Sequence, residues 1–262
     1  GNLTIESGSI LLAEKEAEGE HAGQTIYRYD FTSNGGDITM TGNIGAATFS
    51  ISGGTLVLKS GGDDNTNLTA YGSGWNQDQT SGNATNYDRN TANGELLNTT
   101  VTVNAGTNVA ALNLLTVDHS TINLSGTGSS GSVADANTAY LEGSRHLDIS
   151  ESTITVSGYA NGIFSKNGSI SNSEITIKEN AKLLIAGNAD DYTAVLSGSA
   201  QASGATYSLT NTDITNEGTL QLGTSGSNDF TITGGSMNNT GTVIVNADEL
   251  SVTDDYFNGL FT

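Results

Sequence analysis

Adjacent acidic residues occur three times, at Asp63-Asp64, Asp190-Asp191 and Asp254-Asp255. Two carboxylates at a defined separation would suit glycosidic bond cleavage. Neighbours in a turn do not fix such a separation, so no catalytic residues are assigned. The same carboxylates, with the backbone carbonyls of Gly/Asn/Asp turns, suit a hard cation, and calcium is the one ion this pattern points to. The Gly-Gly-x-Gly-x-Asp calcium repeat and the EF-hand loop are both missing, and neither metal ligands nor cofactor-binding residues are assigned. His21, His119 and His146 stand in unrelated contexts. His119 and Glu151 share one position of the repeat described below, which suggests an outward corner and not a ligand set. With no Gly-x-Ser-x-Gly elbow, P-loop or HExxH, the chain is expected to be non-enzymatic.

What would have to position any such residue is unusual in composition. The 262 residues carry a formal charge of −20 with only 8 Lys+Arg, which excludes nucleic acid as a partner because phosphates would be repelled. Charge attraction to anionic lipid is disfavoured for the same reason. Hydrophobic residues make up 35% and charged residues 14%, against ~25% charged in an average domain. Gly, Asn, Ser and Thr fill the difference. Such a chain could be disordered, but Val, Ile and Leu alternate with Thr and Ser as in half-buried strands. There are 34 glycines and no proline. A chain whose every turn donates backbone N–H groups to the next would exclude proline. Cysteine is also absent, so neither disulfides nor thiolate metal sites contribute. No signal peptide opens the sequence and no apolar run reaches membrane-spanning length. It begins in mid-pattern, at Gly1-Asn2-Leu3-Thr4-Ile5, which reads as a piece of a longer precursor.

One short pattern recurs: an alternating strand, a small polar corner, Ser or Thr, then a second alternating strand. Leu115-Thr-Val117-Asp-His-Ser120-Thr-Ile122-Asn-Leu124 and Leu147-Asp-Ile149-Ser-Glu-Ser152-Thr-Ile154-Thr-Val156 match nearly residue for residue. The equivalent positions are Val101, Ile122, Ile154, Ile175, Ile214 and Met237. Their numbering sets successive intervals of 21, 32, 21, 39 and 23. A basic coil of about 21–23 residues follows; the longer intervals are one coil with an insertion, or nearly two short coils. Gly-Thr-h-x-h, where h is aliphatic, recurs at Gly54, Gly218 and Gly241, with Asn180-Ala-Lys-Leu183 a looser relative. These periods predict an all-β chain, a right-handed parallel β-helix (solenoid) with loop insertions, of roughly ten coils and about 50 Å. The whole chain, 1–262, is one β-helix segment of a longer surface protein, with insertions near 13–22, 60–95 and 126–140. The first is expected to be a helical turn or charged loop; the second holds the only tryptophan, Trp75; the third is a Gly/Ser-rich loop.

The coils resemble the passenger regions of bacterial autotransporters, especially the self-associating adhesins. The resemblance rests on Asn-Glu-Gly218-Thr-Leu-Gln-Leu, Asn-Thr-Gly241-Thr-Val-Ile-Val, Gly53-Gly-Thr-Leu-Val-Leu and the Ser-Thr-Ile corners. It implies an extracellular β-helix at the bacterial cell surface, exported through an outer-membrane barrel without inserting into the membrane itself. It also implies a role in adhesion, self-association or biofilm formation, with other copies of itself, a host-surface receptor or a glycan as partner. It transfers no site residues. The alternatives are a carbohydrate-active β-helix (a polysaccharide lyase or hydrolase) and a structural spacer of a large surface protein or filament.

Overall fold

A computed structural model describes residues 1–15, 25–61, 66–76, 89–224, 228–253 and 256. Three parallel strands per coil, joined by corners, stack their equivalents into three flat faces. Face 1 is a nine-stranded sheet running from Leu3–Ile5 through Asp37–Met40, Thr55–Leu58, Thr100–Asn104, Thr121–Ser125, Thr153–Ser157, Glu174–Ile177 and Asp213–Asn216 to Met237–Asn239. Face 2 runs from Ser9–Leu11 to Thr242–Val245 and face 3 from Phe31–Asn34 to Glu249–Val252, again with nine strands each. Ala139–Ser150 and Asn161–Ser171 bend without a break from face 2 into face 3, which joins these two faces into one sheet. The protein is a parallel β-helix of nine coils, about 40 Å long at one sheet spacing per coil.

The alternation in the sequence decides which way each side chain points. Val101, Ile122, Ile154, Ile175, Ile214 and Met237 are direct register partners along face 1. The two long intervals, from Ile122 to Ile154 and from Ile175 to Ile214, are therefore single coils carrying excursions. The coil from Ile38 to its register partner Leu56 is shorter than the expected period. Inward residues from all three faces form one continuous core. On face 3 the aromatic rings of Tyr207 and Phe230 stack at 5.5 Å, and glycine makes room for such rings. A Cβ on Gly168 would lie 2.0 Å from the Tyr207 ring, and one on Gly94 would lie 2.2 Å from Phe49.

The corner between faces 3 and 1 has a chemistry of its own. Asn98, His119, Glu151, Asn172 and Asn211 hold left-handed backbone there, with φ between 46° and 49°. Each is followed by a buried hydroxyl: Thr99, Ser120, Ser152, Ser173 and Thr212. The backbone N–H of Thr99 donates to Ser120 Oγ at 3.2 Å, that of Ser120 to Ser152 Oγ at 3.1 Å, and that of Ser152 to Ser173 Oγ at 3.1 Å. This internal ladder satisfies amide groups that a sharp turn would otherwise leave unpaired.

Several sequence expectations change. Ala13–Lys15 is neither helical turn nor loop. It pairs antiparallel with Thr25–Tyr27, which pairs with Gly74–Asn76; residues 16–22 of that expected insertion lie outside the described residues. The 60–95 region is not one insertion, because Thr66–Ala70 and Asn93–Leu97 are strands of faces 2 and 3. Thr66–Ala70 offers only one large aliphatic, Leu68, which hid it in its polar surroundings. The third insertion ends earlier than expected, since Ala139 and Tyr140 already belong to face 2. The Gly-Thr-h-x-h copies are not equivalent: the strand after Gly54 lies on face 1, those after Gly218 and Gly241 on face 2, as does Lys182–Ala186.

Candidate functional site

The excursions are distributed unevenly. Among the described residues the chain turns from face 3 to face 1 eight times, each time over two residues except at 234–236, which takes three. Every longer excursion leaves a corner of face 2, at 12–30, 59–65, 71–92, 126–138, 187–204 and 223–227. Among the described residues faces 1 and 3 therefore join into one surface that no excursion interrupts, while face 2 is overlaid.

The uninterrupted surface is hydroxyl-rich. Along face 1 the outward residues Thr102, Asn123, Thr155, Thr176 and Thr215 are register partners in consecutive coils, set about 4.8 Å apart by the sheet. Among the described residues the side chains of this row make no hydrogen bond. Acidic groups at its margins are tied to neighbouring coils: Thr55 Oγ1 donates to Asp37 and Ser236 Oγ to Asp213, each at 2.7 Å, and Ser50 Oγ donates to Glu95 at 2.9 Å. At the corner His119 Nδ1 lies 2.8 Å from Asp118 Oδ2, and Nε2 lies 2.6 Å from Glu151 Oε2. The Asp118 hydrogen bond, its charge and that of Glu151 raise the His119 pKa above its ordinary value of 6.5. Hydrogen bonds from Ser150 and then His119 hold Asp118 below its ordinary 3.8.

Face 2 is covered twice. At one end the small antiparallel sheet brings Tyr27 and Tyr71 to stack at 4.3 Å. A Cβ on Gly45 beneath them would come within 3.0–3.1 Å of both rings. Further along, the 187–204 excursion contains a single helix, α1 (Tyr192–Ser197). Asp191 accepts the Ala194 N–H and caps it, and Gly198 closes it in left-handed conformation at φ 80°. Val195 and Leu196 pack on Phe164, Leu184 and Ala186, a second core outside the solenoid. Glu142 lies under this cover, where burial raises its pKa against the lowering effect of the Ser144 hydrogen bond. Between the two covers a cavity of about 330 Å³ is lined by Gly106, Thr107, Asn108, Asp135, Thr138, Tyr140, Asp190, Asp191, Tyr192 and Thr193. Burial first, and the charge of Glu142 second, raise the Tyr192 pKa, so its phenol stays protonated.

The residues singled out in the sequence fall apart in space. Asp190 and Asp191 lie on the cavity, whereas Asp63-Asp64, Asp254-Asp255 and His21 are outside the described residues. His146 is exposed at the start of face 3, across from Leu114. His119 and Glu151 do stack at one corner position, as their shared place in the repeat requires. Among the described residues no three His, Cys, Asp or Glu side chains come together as a metal site, so the calcium expectation gains no ligand set. Sequence reasoning missed Asn108, Asp135, Tyr140 and Tyr192, because the cavity joins two excursions that are distant in the chain. The link between Asp135 and Thr193 that closes it has no counterpart in the repeat. No helix among the described residues is long and apolar enough to cross a membrane. Comparison with protein-family models, curated proteins and solved structures finds no match.

Proposed function

We propose that this chain is a non-catalytic adhesive segment of a bacterial surface protein, and that the joined outer surface of faces 1 and 3 is where it meets another copy of itself. The observation that carries this reading is the row Thr102, Asn123, Thr155, Thr176 and Thr215. It is in register, crossed by no excursion, and without side-chain hydrogen bonds of its own among the described residues. Polar side chains held at a fixed spacing can pair with a second such array without a loss of side-chain freedom as large as mobile groups would suffer. A body of charge −20 must overcome self-repulsion. Hydrogen bonds assisted by salt or divalent cations are then the expected contacts.

The test is settling of beads or cells that display the chain. Replacing Thr102, Thr155 and Thr176 by Glu adds like charge at the middle of the row without touching the core. Clumping is expected to fall at least tenfold, with unfolding free energy changed by under about 0.5 kcal/mol per site. Wild-type clumping is expected to weaken at very low ionic strength or with chelator. Undiminished settling of the triple variant removes this surface from consideration.

A further inference from the structure

The corner between faces 3 and 1 is the ridge along the middle of the joined surface, and two of its residues depart from the rest. Asn98, Asn172 and Asn211 hold the left-handed position in their coils, whereas His119 and Glu151 hold it at φ 47° and 46°. Asparagine and histidine tolerate that conformation; glutamate does so less readily, and its presence there points to a gain elsewhere. The two departures fall in adjacent coils, and the side chains meet. His119 Nε2 lies 2.6 Å from Glu151 Oε2, and Nδ1 lies 2.8 Å from Asp118 Oδ2. The other oxygen of Asp118 accepts from Ser150 Oγ at 2.6 Å. One ring is thus held between two carboxylates from two coils. His119 and Glu151 are exposed, so a facing copy meets them directly.

This geometry fixes the proton count. A ring with carboxylate oxygens at both nitrogens makes two hydrogen bonds only when both nitrogens carry protons. Neutral imidazole has one N–H, and its other nitrogen would turn a lone pair toward an anion. The clasp is therefore complete as imidazolium and half undone as imidazole. The charges acting on the ring are those of Asp118 and Glu151. The corners flanking the pair carry neutral Asn98 and Asn172. On the flanking face 3 strands stand Glu95 and Asp148, with Arg145 and His146 where the latter strand begins; the flanking face 1 strands, Thr100–Asn104 and Thr153–Ser157, carry no charge. No other residue of the corners between faces 3 and 1 titrates near neutral pH.

Two carboxylates and an imidazolium leave this corner with one net negative charge; two carboxylates and an imidazole leave two. Between two such corners facing each other, repulsion then grows about fourfold, from one unit against one to two against two. At contact the charges lie within the screening length of about 8 Å at physiological salt. We propose that His119 is a proton-operated regulator of self-association: protonated, it offsets the ridge charge and lets two copies pack, and neutral, it leaves Asp118 and Glu151 to drive them apart. This inference rests on the self-association reading and adds its regulation. The hydrogen bond to Asp118 first, and the two carboxylate charges after it, place the loss of the proton above 6.5, so association is expected to be stronger in mildly acidic than in alkaline surroundings.

The experiment is settling of beads that display the full chain, at fixed ionic strength, at about pH 6 and about pH 9, a range in which ordinary carboxylates stay ionised and lysines stay charged. Wild type is expected to settle less at the higher pH, by about threefold or more. His119→Asn places at this corner the residue that Asn98 and Asn172 supply at its neighbours. It is expected to settle at both pH values as weakly as alkaline wild type. The double variant His119→Asn with Glu151→Asn keeps one carboxylate, and is expected to settle at both as well as acidic wild type. His146→Asn is expected to retain the wild-type response. A response that survives in His119→Asn, or disappears in His146→Asn, overturns the proposal, as does strong settling of His119→Asn in alkali. Equal settling of wild type at the two pH values overturns it too and leaves the self-association reading standing. Absence of settling at every pH and salt concentration overturns that reading and this one with it.

Discussion

The corner between faces 3 and 1 and the corners around face 2 close the same coil, yet only the latter tolerate excursions. The difference lies in what satisfies the backbone. At the first corner, Ser120, Ser152 and Ser173 each accept an amide N–H from the coil before, so four successive corners, from Thr99 to Ser173, fix one another. One added residue would displace a hydroxyl from two coils at once. Corners of face 2 lack that repeated hydroxyl and are held by different side chains from coil to coil. Asn161, for example, takes the N–H of Gly126 and donates to the carbonyls of Ser157, Gly158 and Lys182. Such a corner can be rebuilt coil by coil. Loop closure over a longer excursion adds little further cost. Surface that stays bare and surface that becomes elaborated are thus set by hydrogen bonding inside the turns.

That comparison is broken most directly by insertion. A Gly-Ser-Gly-Ser segment placed between Glu151 and Ser152 is expected to cost on the order of 5 kcal/mol, since several buried amide and hydroxyl groups lose partners together. The same segment between Ser130 and Gly131, in a face 2 excursion, is expected to cost less than about 1 kcal/mol. Denaturant unfolding of the two proteins measures both. Equal costs would mean that the hydroxyl ladder does not govern where the chain can grow.

A smaller contrast separates the solenoid core from the cover on face 2. Ile154, fully buried between Ile122 and Ile175, contacts equivalents in both neighbouring coils. Its replacement by Ala is expected to cost about 2–5 kcal/mol, with amide exchange accelerated through the neighbouring coils. Leu196 is as deeply buried, at 1% exposure, but belongs to the small cluster under α1. Leu196→Ala is expected to release the 187–204 cover locally, at below about 2 kcal/mol, while exchange in face 1 stays slow. Fast exchange throughout the chain in that variant would make cover and solenoid a single cooperative unit.

The same contrast explains what could be read in advance. Core positions on face 1 were legible because aliphatics recur at the same place in each coil whatever the excursion between them, so the odd intervals around Ile154 and Ile214 did not obscure their equivalence. Assignment to a particular face was not legible, because alternation with period two looks alike on every face. Gly54 was thus grouped with Gly218 and Gly241. The helix Tyr192–Ser197 is too short to display a helical period; only the Asp191 cap and Gly198 announced it. The cavity was invisible for a different reason. Its walls come from excursions, whose residues answer to no repeat, and only the stacking of coils brings Asp135 beside Thr193.

The smallest expected effect tests the corner itself. Glu151 sits at φ 46°, a conformation that asparagine or glycine adopts with less strain. Glu151→Asn is expected to add up to about 1 kcal/mol at any pH. It also removes one of the two carboxylates against His119, and that part depends on pH. His119 is more basic folded than unfolded, so its contribution is complete below 6.5 and fades as pH rises through its higher folded value. Asp118 acts at the other end: its contribution is present above 3.8 and fades as pH falls through its lower folded value. The variant should therefore lose less stability than wild type between mildly acidic and alkaline pH, on top of its uniform gain. A nuclear magnetic resonance titration of the His119 ring separates the two effects. The midpoint is expected to fall in Glu151→Asn yet stay above 6.5, because the hydrogen bond to Asp118 is the first cause of the shift and remains. An unmoved midpoint, with stability still raised, would show that the left-handed turn matters there and the His119–Glu151 contact does not.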